Sequence, residues 1–109
     1  MNNSLHLLQH SVLNNYKNGT GIFCEELKER KYTYPSYFQI QDTKNNEIVS
    51  EVYFQEGSIK DGLNGVTDED ILVMVLTRLQ HLQENNPSSD IDTTIGYLKA
   101  ALRYLKKIK

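Results

Sequence analysis

An apolar repeat near the C-terminus constrains this chain more than any other feature. Ile91, Ile95, Leu98, Leu102 and Leu105 follow one another at spacings of four, three, four and three. That spacing marks a packed helical seam. Upstream, Ile71, Leu72, Val75, Leu76, Leu79 and Leu82 form a second stripe along one helical face. NNPSSD at 85–90 breaks the pattern between them. Thr67 with Asp70 resembles a capping box, and Ser89 with Asp92 offers a second capping pair. Residues 67–109 are therefore predicted to form an antiparallel αα-hairpin with a basic end, since Lys99, Arg103, Lys106, Lys107 and Lys109 include no acid among them. Two helices cannot cover both of their stripes, so the pattern demands a partner: a sheet, another subunit, or both.

The residues before the hairpin supply a candidate sheet. From Ser36 the period becomes two, with Phe38 and Ile40 opposed to Tyr37, Gln39 and Gln41. A turn-rich DTKNNE follows, and IVSEVYFQ resumes the alternation. This predicts a β-hairpin over 36–55. A lone hairpin is marginal in water, so it must pack on something. Leu5, Leu8, Val12, Leu13 and Tyr16 predict a helix over 4–17, capped by Ser4 and stopped by KNGTG. GIFCEEL has no decisive period, and Pro35 pushes Tyr34 to an extended conformation. The expected architecture is α+β and oligomeric, as one domain over 1–109. It comprises an N-terminal helix and connecting segment (1–35), the β-hairpin or small antiparallel sheet (36–55), a Gly/Asn loop (56–66) and the helical hairpin (67–109).

With 109 residues, such a domain buries only about two-thirds of its unfolded surface, and oligomerisation would help it. The net charge of -2 gives no general attraction to nucleic acid. One cysteine, Cys24, excludes an internal disulfide and suits a reducing compartment; it reads as a packed small residue. The N-terminus lacks a basic segment and an unbroken apolar core, so no signal peptide is expected, and no apolar run approaches a membrane span.

The residues that carry chemistry are sparse. His6 and His10 could share a helix face, but no HExxH or CxxC accompanies them, and solvated helix residues are the simpler reading. No phosphate-cradling glycine motif or nucleophile–base arrangement is present. Neither a catalytic residue, a metal nor a cofactor is expected. Arg78 and Arg103, on the two helices, suit anions through the planar guanidinium fork, or are ordinary surface arginines.

The loop YFQEGSIKDGLNGVTDED, residues 53–70, is a better candidate. Phe54 offers a ring for stacking, Gln55 an amide, and Gly57 a backbone free to turn or to approach a ligand. Asn64 and Gly65 precede a helix start, whose free N–H groups attract anions. A nucleotide asks for these groups. On pattern alone, Phe54 as a core residue and Asn64-Gly65 as a plain turn explain the same residues.

The run FQEGSIKDGLNGVTDEDILVMVLTRLQHLQ, followed by TTIGYLKAALRYLKK, resembles a group of small phage proteins over residues 36–109. Their shared pattern is FQxGxI, a spacer, NG[VI]T and an acidic helix start. The group includes the Thoeris anti-defence proteins of the first type, which share a helical hairpin with anti-CBASS sponges. Ser58 stands where many of these proteins carry proline. The resemblance implies a homo-oligomer, from dimer to hexamer, in the cytoplasm of an infected or lysogenic bacterium. It implies sequestration of a cyclic ADP-ribose isomer (the glycocyclic form) without cleavage, and cyclic di- or trinucleotides in a second set of pockets. By position, Phe54 would stack on the adenine and Asn64 would hydrogen-bond the same ligand. Arg78, Arg103 and Arg30 are the candidates for the oligonucleotide pockets. Three other readings compete: a helical oligomeric adaptor that binds a host protein, an enzyme that degrades the signal, and a nucleic-acid binder working through the C-terminal lysines.

Overall fold

A computed structural model describes residues 5–8, 19–25 and 34–108 of the chain. The chain divides into two compact units, Met1–Val66 and Thr67–Lys109. The first is a four-stranded antiparallel sheet in the order β1-β2-β3-β4, made of Leu5–Leu7, Thr20–Glu25, Tyr37–Asp42 and Ile48–Tyr53. The second holds two helices, α1 (Asp68–Asn85) and α2 (Ser89–Ile108). The α+β class expected from the sequence is the class found. Neither helix is long and apolar enough to cross a membrane.

Alternation decides which residues of the sheet meet. Cys24 stands opposite Phe38, and Phe38 opposite Val52; Ile22 stands opposite Ile40, and Ile40 opposite Ser50. These β-branched and aromatic side chains share one pleated face, where cross-strand pairs stabilise a sheet. Cys24 is buried there, in the position expected of a packed small residue. The register shifts between Ile40 and Gln41, where the ladder is irregular. Residues 43–47 close the β3–β4 hairpin with their own side chains. The Asp42 carboxylate accepts from Lys44 N at 2.8 Å and Asn45 Oδ1 accepts from Glu47 N at 2.9 Å. Asn46 adopts a left-handed φ of 61°, which asparagine tolerates better than most residues.

The N-terminal helix expected over 4–17 is not what the described residues form. Leu5–Leu7 is β1, with Leu5 opposite Glu25 and Leu7 opposite Phe23. LHL satisfies a period of two as well as a helical period, and β2 offers an edge for it to pair with, so tertiary pairing overrides local preference. Ser4, its expected cap, and residues 9–17 of that segment lie outside the described residues. The GIFCE part of GIFCEEL, undecided by period, lies in β2, a strand with a neighbour on each side.

In the second unit, α1 starts at a reciprocal capping box. Thr67 Oγ1 accepts from Asp70 N at 3.1 Å, and the Asp70 carboxylate accepts from Thr67 N at 2.9 Å. The cap of α2 lies one residue earlier than the sequence suggests: Ser88, not Ser89, accepts from Asp90 N at 3.2 Å and Ile91 N at 3.4 Å. The helices contact each other, and Ile95 at the middle of the seam is buried. Ile91, Leu98, Leu102 and Leu105 are half-buried beside it. Along α1, Val75 and Leu82 stay exposed although they belong to the expected stripe.

The capping box ties stability to pH. The hydrogen bond from Thr67 N holds the Asp70 carboxyl below its ordinary range, with the Thr67 hydroxyl adding to the effect. A carboxyl whose pKa is lowered on folding contributes stability above its unfolded pKa and loses it as pH falls through the folded value. Asp70→Asn is therefore expected to destabilise the protein at pH 7, and its gap to the parent chain should close as pH falls through the lowered pKa of Asp70. Thr67→Ala should cost about 1 kcal/mol. Thermal unfolding across pH checks both; a gap between Asp70→Asn and the parent that persists unchanged at acid pH would refute the assignment.

Candidate functional site

The segment after β4 is built by two side-chain amides. Phe54 pairs in parallel with Val66: Phe54 N donates to Ser36 O at 2.7 Å, Val66 N to Tyr53 O at 2.7 Å, and Gln55 N to Val66 O at 2.8 Å. The chain between them leaves and returns through a narrow neck. Across it, Asn64 Oδ1 accepts from Glu56 N and Asn64 Nδ2 donates to Glu56 O, both at 2.8 Å. Gln55 Oε1 accepts from Asn64 N at 2.9 Å, and Gln55 Nε2 donates to Gly62 O at 2.9 Å. Each carboxamide thus pairs with main chain as a neighbouring strand would, and four hydrogen bonds tie the loop shut.

Glycine makes this neck possible. A Cβ on Gly65 would lie 2.4 Å from the Phe54 carbonyl carbon and 2.5 Å from Tyr53 O, so the return strand can pass Phe54 only without a side chain. Gly57, at φ 77°, turns the chain through the left-handed region. Within the loop, Ile59–Asp61 forms a single 3₁₀ turn, and Ser58 caps it by accepting from Lys60 N at 3.1 Å. Serine therefore performs by hydrogen bonding what a proline would perform by fixing φ at a helix start. Ile59 and Leu63, 58% and 75% exposed, project from this tied loop.

The structure brings Phe54, Gln55, Gly57 and Asn64 into this one loop and its neck. Phe54 is half-buried, and its ring meets Phe38 edge-on at 5.5 Å and 83°. Both readings of Phe54 thus have a physical basis: it extends the aromatic packing of the sheet, and part of it remains accessible. Asn64 is exposed, but its amide already serves the neck. One N–H and one oxygen lone pair remain for anything else. Arg78 and Arg103 occupy exposed positions on α1 and α2, in the second unit. Arg30 lies outside the described residues.

A second polar surface was not singled out in the sequence. On one face of β3 and β4, Gln41 Nε2 donates to Gln39 Oε1 at 2.8 Å and Gln39 Nε2 to the Tyr37 hydroxyl at 2.6 Å. That hydroxyl donates to Glu51 at 2.6 Å. Tyr53 leans on Tyr37 with ring centroids 4.8 Å apart. The Glu51 carboxylate, together with partial burial, raises the Tyr37 pKa above its ordinary value. The signal was the Tyr-Gln-Gln alternation opposite Phe38 and Ile40. Elsewhere, His6 sits on a strand instead of a helix, with Nε2 3.5 Å from Cys24 Sγ. Among the described residues, no three His, Cys, Asp or Glu side chains converge as a metal site.

The neck predicts a specific hierarchy of damage. Gly65→Ala should cost about 2 kcal/mol or more, because backbone must move to admit the methyl group. Asn64→Ala should cost about 1 kcal/mol, because water can replace part of what the exposed amide supplied. Urea unfolding of the two variants checks this, and a Gly65→Ala protein as stable as the parent would rule out the close approach. No protein-family model matches the chain, and no curated protein matches it.

Proposed function

We propose that this protein is a binding protein without catalytic turnover, which sequesters a cyclic nucleotide immune signal of the glycocyclic ADP-ribose type. In this reading it is a phage sponge acting in the cytoplasm of the bacterial host. It works as a homo-oligomer whose α1 and α2 form an antiparallel hairpin, and a second set of pockets takes cyclic di- or trinucleotides. The observation that carries the reading is the tied loop. The residues of the FQxG…NGVT pattern meet in one neck, with an aromatic ring at its base.

The physics of a sponge fits such a site. It must hold its ligand tightly at low concentration and needs no reactive group. A micromolar dissociation constant corresponds to about 8 kcal/mol and a nanomolar one to about 12. Stacking on an aromatic ring contributes about 1–3 kcal/mol per base. A loop already closed by its own hydrogen bonds loses little further conformational freedom when it binds. Asn64 takes a double role here: it holds the neck, and its remaining N–H and lone pair face the ligand's polar groups. Gly57 leaves main chain uncovered at the same place.

A second reading, an adaptor that binds a host protein, is favoured by one observation: Ile59 and Leu63 present apolar surface on a loop held in place. The ligand separates the two. Titration calorimetry with glycocyclic ADP-ribose and a panel of cyclic oligonucleotides should give binding tighter than ten micromolar, about 7 kcal/mol. Heating the complex should release the nucleotide chemically unchanged. Phe54→Ala should weaken binding about 10- to 100-fold. Absence of binding across the panel would sink the sponge and leave the adaptor, whereas a cleaved product would replace both with a hydrolase.

A further inference from the structure

The neck contains a reactive pair of residues that its hydrogen bonds hold in check. The sequence has two Asn-Gly pairs, Asn18-Gly19 and Asn64-Gly65, and Asn18 lies outside the described residues. In such a pair the glycine nitrogen attacks the asparagine side-chain carbonyl, because no Cβ crowds the approach and the backbone turns freely. The nitrogen lone pair forms a bond to Cγ, and the Cγ–Nδ2 bond breaks. Nδ2 leaves as ammonia, taking up the proton that the glycine nitrogen gives to water. A second water then opens the five-membered succinimide at either carbonyl and leaves aspartate or isoaspartate. Water is the sole co-reactant, and nothing is oxidised or reduced.

Asn64 is exposed, so water reaches it, yet the closed neck opposes the attack. Ring closure makes Cγ tetrahedral and swings Oδ1 and Nδ2 away from Glu56 N and Glu56 O, their partners at 2.8 Å. It also turns the main chain between Asn64 and Gly65, which is pinned on both sides. Asn64 N donates to Gln55 Oε1 at 2.9 Å, and Val66 N donates to Tyr53 O at 2.7 Å. Gly65 has no room towards Phe54, where even a Cβ would stand 2.4 Å from the carbonyl carbon. Attack therefore waits for the neck to open, and local opening of a hydrogen-bonded segment has a free energy of its own.

We propose that Asn64 is a self-modification site gated by the neck. Closed, the neck keeps the carboxamide intact; each opening exposes it to a conversion that the neck does not survive. Aspartate at this position has no N–H for Glu56 O and sets a carboxylate oxygen against that carbonyl. Isoaspartate runs the main chain through Cβ and Cγ. It adds one carbon immediately before Gly65, where main chain already passes main chain too closely for a methyl group. The change is one-way, because the ammonia is lost. The loop thus has a finite lifetime set by how often it opens, and whatever holds it closed prolongs that lifetime. The inference rests on the neck alone and not on the proposed function, which adds one consequence: nucleotide bound at the loop would protect Asn64.

Peptide mapping by mass spectrometry provides the test, on the full chain held at neutral pH without nucleotide and sampled over time. Asn64 in the folded protein should convert at least about tenfold more slowly than in the same chain unfolded in guanidinium chloride. Gln55→Ala removes the acceptor of Asn64 N and the donor to Gly62 O. It should speed conversion at Asn64 about tenfold and leave Asn18 at its parent rate. Converted protein gains a negative charge, so anion exchange separates it. In that fraction Gln55 N and Val66 N should exchange hydrogen at least about tenfold faster than in the parent. Folded Asn64 converting at the unfolded rate, a Gln55→Ala protein no faster than the parent, or a converted fraction as protected as the parent would each overturn the gate. Equal acceleration at Asn18 and Asn64 would overturn it too, since unfolding of the whole chain would then set the rate. Calorimetry with nucleotide decides the sponge and the mapping decides the gate, so either fails without the other.

Discussion

Two side-chain amides standing in for a missing strand are the interaction on which the candidate site depends. β4 ends at Tyr53, and the chain must cross from the sheet to the start of α1. Gln55 and Asn64 satisfy the main chain on both sides of the crossing and convert most of this connection into a closed loop with a fixed neck. Main-chain groups that lack a partner are costly when they leave water, so amide side chains are an effective way to close such a neck. Gly65 is the other half of the device, since main chain approaches main chain there more closely than any Cβ allows. A loop built this way has its shape before any ligand arrives.

As far as the described residues go, both units are thinly cored. Among the described residues, Cys24 and Ile95 are the only buried hydrophobic side chains, and no large side chain is fully buried. Capping boxes, turn asparagines and amide brackets keep local structure in order, but they do not substitute for apolar burial, which dominates folding free energy. The homo-oligomer proposed for the sponge would add the apolar burial that such a core lacks.

Much of the fold is legible in the sequence wherever one period is unambiguous. Phe38 and Ile40 alternate strictly, and β3 and β4 lie where that alternation places them. Thr67 and Asp70 announce α1, because a capping box needs only residues three apart. Legibility fails where the deciding interaction is distant. Leu5–Leu7 is compatible with helix or strand, and only pairing with β2 decides it. Asn64-Gly65 reads as a turn, whereas Asn64 bonds to Glu56, eight residues back, and Gly65 is required by a strand rather than by a φ angle. Ser88 caps α2 instead of Ser89 because the preceding loop sets the entry angle, through Gln83 accepting from Ser88 N. Of the site residues, those in the loop are brought together, and the roles of the arginines rest on resemblance alone.

The candidate site depends on the loop being preformed in the free protein. Amide hydrogen exchange of the ligand-free chain, read residue by residue, tests this most directly. Glu56 N and Asn64 N lie in an otherwise accessible connection, and each donates to a side-chain oxygen of the neck. Both amides should exchange far more slowly than in an unfolded chain, together with Gln55 N and Val66 N, and Asn64→Ala should release Glu56 first. Exchange of Glu56 and Asn64 at unfolded-chain rates would contradict the closed neck, and with it the preformed site.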